Sequence, residues 1–145
     1  MKPPSARKKP GFSAIRYKYD AYKARAKRVE KEFSIPFEEF ETIVTQNCSY
    51  CGSPPRPFNQ YVKSDGTRNR KGSLISDEWI SVSTVRVNGI DRKDNSLGYV
   101  IGNCVACCEQ CNKSKLTYTV KEFLDHANRI AIHQKSLDVQ TTQKS

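Results

Sequence analysis

Six cysteines in three close pairs are the residues of this 145-residue chain best placed to do chemistry. Cys48-Ser49-Tyr50-Cys51-Gly52 is a C-x-x-C followed by glycine, the shape of a zinc knuckle. Its two thiolates face one ion, and nearby backbone N–H groups soften their charge. Cys104/Cys107 and Cys108/Cys111 are both C-x-x-C pairs, so the second half of a tetrahedral site can be drawn in two ways. Cys108 and Cys111 are the expected partners of Cys48 and Cys51, because a ligand pair at the start of a helix docks that helix onto the first knuckle. Cys104 and Cys107 are then free thiols or competing ligands. A redox dithiol is a rival reading, and it lacks the βαβ setting of a thioredoxin-like motif.

The elements that must hold these residues are partly visible in the pattern. Ile15, Tyr19, Tyr22, Ala26, Val29 and Phe33 recur at helical spacing and predict one long amphipathic helix. Arg16, Lys18, Lys23, Arg25, Lys27, Arg28 and Lys31 lie off that stripe, so dense an excess of one sign that a phosphate-facing helix is expected. Pro36 ends the run, and a second short helix follows with Phe37, Phe40, Ile43 and Val44 inward. Residues 52–81 read as a long loop or irregular hairpin, rich in Pro, Gly and basic residues. Alternation from Val82 predicts a strand reaching Asp91, and Tyr99-Val100-Ile101 a short returning strand. A short helix is expected near Cys108. The last helix opens on Thr119 and Glu122, a capping box, and is expected to bury Val120, Phe123, Leu124, Ala127, Ile130 and Ala131. His126 and His133 flank its polar side and read as surface residues.

Composition narrows the function classes. Apolar residues make up 37% of the chain, and no apolar run approaches a membrane span. No hydrophobic segment follows the basic start, so secretion is not expected and the compartment is reducing, one in which paired cysteines bind metal. The expected location is the cytoplasm, that of a bacterial host if the chain is phage-encoded. Of the net charge of +10, residues 1–33 carry +8. A basic arm on a nearly neutral body points to a polyanion, nucleic acid before membrane. So polar a small domain also needs a staple, which a structural ion supplies.

Between the cysteine pairs runs Gly89-Ile90-Asp91-Arg92-Lys93-Asp94-Asn95, then Gly98-Tyr99, Asn103-Cys104, and Cys108-Glu109-Gln110-Cys111-Asn112-Lys113-Ser114-Lys115. As an ordered set these motifs resemble the HNH, or ββα-metal, endonucleases, in particular their small zinc-bearing phage forms. The resemblance spans about Cys48 to Lys115. It implies that Asp91 and Asn112 are the protein ligands of a catalytic divalent ion, Mg²⁺ or Mn²⁺, and that Asn103 structures the loop. A carboxylate and an amide oxygen are hard donors that suit such an ion. The family's usual general base is a histidine where Arg92 stands, and arginine cannot fill that role. A variant among rare-cutting restriction enzymes keeps Asp-Arg and places a tyrosine inside the first C-x-x-C. By resemblance to it, Tyr50 is the base or the water-positioning group, and Arg92 a phosphate clamp.

The resulting expectation is an α+β fold with a ββα-metal core, a four-cysteine zinc site, two N-terminal helices and a C-terminal helix. Residues 1–12 form a flexible basic arm, 13–135 a single domain and 136–145 a tail. The expected function is metal-dependent hydrolysis of DNA phosphodiesters. The alternative is a non-catalytic, zinc-stabilised nucleic-acid-binding protein. No membrane is expected as a partner; a homodimer is compatible with the sequence but not specified by it.

Overall fold

The computed structural model describes residues 11–142, so most of the expected basic arm and the last three residues of the expected tail lie outside it. Five helices and two small antiparallel sheets make a mixed α+β fold. Helix α1 (Phe12–Arg28) packs across α2 (Phe37–Val44), and the side chains that meet are largely aromatic. Tyr19 stands edge-on to Phe33, Phe37 and Phe40, with ring centroids 5.1–5.4 Å apart. Tyr22 continues the cluster onto Phe40 and Tyr99, each at 5.7 Å. Edge-to-face pairs of this kind add to the stabilisation that burial gives. Ile15, Ala26, Ile35, Ile43, Val44, Val87, Ile90 and Ala106 complete the core.

The first helix is shorter than its apolar stripe. It ends at Arg28, Val29 is half-exposed as its C-cap, and Glu30 takes a left-handed conformation (φ 52°). Lys31 N–H then reaches Ala26 O and Glu30 N–H reaches Lys27 O, the paired bonds of a Schellman turn. Phe33 consequently packs from the linker, not from the helix.

The segment expected as one loop and one strand is built differently. β1 (Arg56–Phe58) pairs with β2 (Val85–Val87), and between them lie a 3₁₀ turn (Gly72–Leu74) and helix α3 (Asp77–Ser83) capped by the Ser76 hydroxyl. Val82 and Ser83 thus belong to a helix. The strand is also interrupted at Asn88, whose N–H is donated to Val44 O (2.7 Å) and whose side-chain amide goes to Gln46 O (2.8 Å). Beyond that break β3 (Gly89–Arg92) takes a new partner, β4 (Cys104–Cys107), in the register Gly89↔Cys107 to Arg92↔Cys104.

The returning strand is therefore Cys104–Cys107 and not Tyr99–Ile101. Tyr99 is held elsewhere: its N–H reaches Glu32 O (2.8 Å), and its carbonyl accepts from Ser34 and Ile35. Gly98 permits that approach, since a Cβ there would stand 2.2 Å from Glu32 O. Helix α4 (Glu109–Lys115) follows with Cys108 at its N-cap. Helix α5 (Val120–Thr142) starts on the expected box, Thr119 Oγ1 accepting from Glu122 N–H and Glu122 Oε2 from Thr119 N–H. It runs through much of the expected tail. Only Val120 and Phe123 are even half-buried; Leu124, Ala127, Ile130 and Ala131 are exposed, and Ala127 and Ile130 line an open cavity with Cys51 and Ser114 instead of packing in the core. No helix among the described residues is long and apolar enough to cross a membrane.

Candidate metal centre and active site

The knuckle forms because Gly52, at φ 74°, lets the chain double back, with Gly52 N–H on Cys48 O and Cys48 N–H on Ser53 O. Ser49 N–H is donated to Ala106 O (2.9 Å), which fastens the turn to β4. Strand β4 leads straight into Cys108, and α4 brings Cys111 round one turn later. The Sγ atoms of Cys48, Cys51, Cys108 and Cys111 lie within 4.8 Å of one another, a group that could hold a metal ion. Cys51 Sγ and Cys108 Sγ are 3.7 Å apart. A tetrahedral ion with ~2.3 Å bonds to sulfur sets its ligands at close to that spacing, so the donor set fits zinc.

Local donors prepare two of these thiols for the thiolate form. The Ser53 hydroxyl, 3.0 Å away, together with the Ser53 backbone N–H, lowers Cys51 to about 6. Burial pushes Cys48 up, but the backbone N–H groups of Cys108, Cys51 and Tyr50 outweigh it and hold Cys48 below its ordinary value. Cys104 and Cys107 stand outside the group. Burial raises Cys104 to about 11 and Cys107 further, and the Cys107 thiol is donated to the Cys108 carbonyl (3.4 Å).

Beside the thiols sits a second cluster. Asp91, in the middle of the β3–β4 pairing, is only 5% exposed. Tyr50 donates its hydroxyl to Asp91 Oδ2 at 2.7 Å, and Lys115 Nζ stands 3.2 Å from the same oxygen. The Tyr50 ring is braced edge-on against Phe123 of α5 (5.5 Å). Asn112 precedes Lys115 by three residues on α4 and so shares its face of the helix. The structure thus brings Tyr50, Asp91 and the α4 face carrying Asn112 together next to the four thiols.

Tyr50 and Arg92 have defined partners in this geometry. Tyr50 is a donor to a carboxylate, and burial followed by the Asp91 hydrogen bond raises its ionisation well above the ordinary phenol value. The phenol is thus fixed against the Asp91 carboxylate. Arg92 points away, since successive strand residues face opposite sides. Its guanidinium is donated to Leu97 O (2.8 Å) and Asn95 O (3.2 Å) and lies over the Tyr99 ring (5.2 Å), holding the 94–98 loop. Asn103 works on the same loop from the other side. It accepts from Asp94 N–H and donates to Asp94 O and Gly98 O, all within 3.0 Å.

The basic residues of α1 and of the turn after it fall into two groups, and Lys18 belongs with the first, its ammonium lying 4.7 Å over the Phe58 ring. Arg16 pairs with Asp20 (3.4 Å) and lies over Tyr19 and Phe37, and Lys31 Nζ is donated to Ser96 O (3.2 Å). Lys23, Arg25, Lys27 and Arg28 are exposed on the C-terminal half of the helix, where three of them also complement its dipole. His126 and His133 are both exposed on α5. Sequence reasoning missed Lys115 altogether, because a lysine in a charged helix reads as solvated; its place three residues after Asn112 was the one available sign.

The fold is similar to that of a solved HNH restriction endonuclease, the rare-cutting enzyme PacI, at a TM-score of 0.54 and 16% identity over 93% of this chain and 95% of that one. No family model matches the sequence. Among curated proteins the chain is 32% identical over 133 residues to protein R423 of Acanthamoeba polyphaga mimivirus. It is 25% identical over 119 residues to a 29.0 kDa protein from the dda–modA intergenic region of Enterobacteria phage T4. These matches take in 88% and 81% of the chain but only 20% and 38% of the respective relatives.

Proposed function

We propose that this chain is a metal-dependent DNA endonuclease that hydrolyses phosphodiester bonds. The observation that supports this most is the Asp91 site itself, a buried carboxylate on a β-hairpin facing the helix that carries Asn112. In this reading β3, β4 and α4 are the ββα-metal core, and Cys48, Cys51, Cys108 and Cys111 hold a structural Zn²⁺ that fixes α4 against the hairpin. Asp91 and Asn112 are the protein ligands of a Mg²⁺ or Mn²⁺ ion, and their hard oxygen donors suit it. That ion, when bound, supplies Lewis-acid stabilisation of the charge at the scissile phosphate and the leaving 3′ oxygen.

The chain's own part is positional. Tyr50 and Lys115 fix the Asp91 carboxylate, Asn103 and Arg92 shape the loop after β3, and the exposed Lys23, Arg25, Lys27 and Arg28 attract the DNA backbone. The products expected are 5′-phosphate and 3′-hydroxyl ends. The test is relaxation of supercoiled plasmid by the purified protein. Cutting that appears with Mg²⁺ or Mn²⁺ and stops in EDTA supports the proposal. Retarded but uncut DNA under every metal condition would instead mark a non-catalytic nucleic-acid-binding protein.

A further inference from the structure

The Lys115 side chain is completely buried, at 0% exposure, and is among the largest fully enclosed side chains of the molecule. A lysine is almost never buried without a partner, and removing a partner from such a pair is strongly destabilising. Here the partners are Asp91 Oδ2 at 3.2 Å and the Arg92 carbonyl at 3.3 Å, both on β3. Lys115 therefore ties the last turn of α4 to the strand that carries Asp91, while Cys108 and Cys111 tie its first turn to the knuckle. The Tyr50 hydroxyl falls on the same Oδ2 at 2.7 Å, so both donors engage one oxygen of the carboxylate.

We infer that Lys115 is the positioning residue of the proposed ion site, holding Asp91 by Oδ2 so that Oδ1 is the oxygen offered to the ion, and balancing the carboxylate's charge until DNA arrives. The inference rests on the nuclease reading above. Its physical content is that an ammonium serves two ends. It keeps a buried carboxylate in place before any ion binds, as an apolar brace could not. It also repels a divalent cation a few ångströms away, so that the ion is held firmly only when phosphate oxygens add negative charge. Lys115 thereby keeps metal binding weak until substrate is present.

A merely structural lysine and a charge-balancing one differ in sign. If Lys115 only braces α4, its loss loosens the site and weakens metal binding. If it balances charge, its loss strengthens metal binding in the absence of DNA. The experiment is Mn²⁺ titration of the zinc-loaded full chain, followed by electron paramagnetic resonance, for wild type, Lys115→Met and Asp91→Asn. Wild type should bind Mn²⁺ in an Asp91-dependent way, and Lys115→Met should bind it at least ~10-fold tighter, the effect of removing one unit charge a few ångströms from a divalent ion even at a water-like effective dielectric of about 80. Equal or weaker binding by Lys115→Met overturns the inference while leaving the nuclease reading standing. Wild-type protein whose Mn²⁺ binding ignores Asp91→Asn overturns both. Should Lys115→Met not fold, the wild type answers by NMR. One lysine ammonium should show slowed proton exchange and shift on Mg²⁺ addition, and absence of such a protected, responsive signal overturns the inference.

Discussion

Replacing Cys108 or Cys111 by serine is expected to unfold the metal end of the molecule, whereas Cys104→Ser is expected to leave it standing. The four thiols of Cys48, Cys51, Cys108 and Cys111 converge within 4.8 Å, and the hydrophobic residues packed on that side of the core are few, Tyr50 and Phe123 among them. Helix α4 spans seven residues, too short to persist without tertiary support. A structural zinc contributes on the order of 10 kcal/mol in a small domain, against a total stability of about 5–15 kcal/mol. Loss of one ligand therefore removes most of the margin, and with α4 go Asn112 and Lys115. Cys104 makes no part of the cluster, and swapping its buried thiol for a hydroxyl should cost about 1–2 kcal/mol. The assay pairs zinc content by elemental analysis with thermal denaturation. Zinc loss and unfolding in Cys104→Ser, with Cys108→Ser intact in both, would refute the reasoning.

Three further outcomes follow from individual residues. Tyr50→Phe keeps the ring on Phe123 but deletes the hydrogen bond to Asp91; cleavage should fall ~10²-fold with zinc retained, checked by single-turnover kinetics. Replacing Lys23, Arg25, Lys27 and Arg28 by Gln should flatten the slope of log K against log salt for duplex DNA, by about 0.9 for each phosphate no longer neutralised, as read by titration at several salt concentrations. Burial raises the Tyr22 phenol to about 12, against about 10 in an unfolded chain. Between these values the unfolded state has lost the proton and the fold retains it, so stability should fall by about 1.4 kcal/mol per pH unit over pH 10–12. Denaturant titrations of wild type and Tyr22→Phe at those pH values measure it, the variant giving the flatter dependence.

Much of the helical frame was legible because local signals coincided with tertiary ones. Pro36 marks the start of α2 as its N-cap, although α1 had already ended at Arg28, and Thr119 with Glu122 marks the start of α5 to the residue. The thiols of Cys108 and Cys111 were legible as the second pair of the cluster for a similar reason, since the N-cap of a helix aims them together. Failures occurred where a distant partner took a backbone group. Asn88 divides an apparently continuous strand because Val44 and Gln46 claim its donors, and nothing local announces that. Tyr99 reads as strand but is held by Glu32, Ser34 and Ile35. The apolar positions of α5 predicted burial, yet beyond Phe123 they are exposed. At the site, Tyr50 and Asp91 were both legible as candidates and lie within hydrogen-bond distance, whereas Lys115 beside them was not. Whether Arg92 or Lys115 faces Asp91 depends on which side of β3 packs against α4, a fact of topology and not of spacing.

The central claim is that Asp91 anchors the ion that cuts DNA. Its most direct test is single-turnover cleavage of an end-labelled duplex containing a site cut by the wild type, in Mg²⁺ or Mn²⁺, by zinc-loaded wild type and by Asp91→Asn. Wild type should release 5′-phosphate and 3′-hydroxyl products, and Asp91→Asn should not cut at all, at unchanged zinc content. Cleavage by Asp91→Asn at the wild-type rate would contradict the claim.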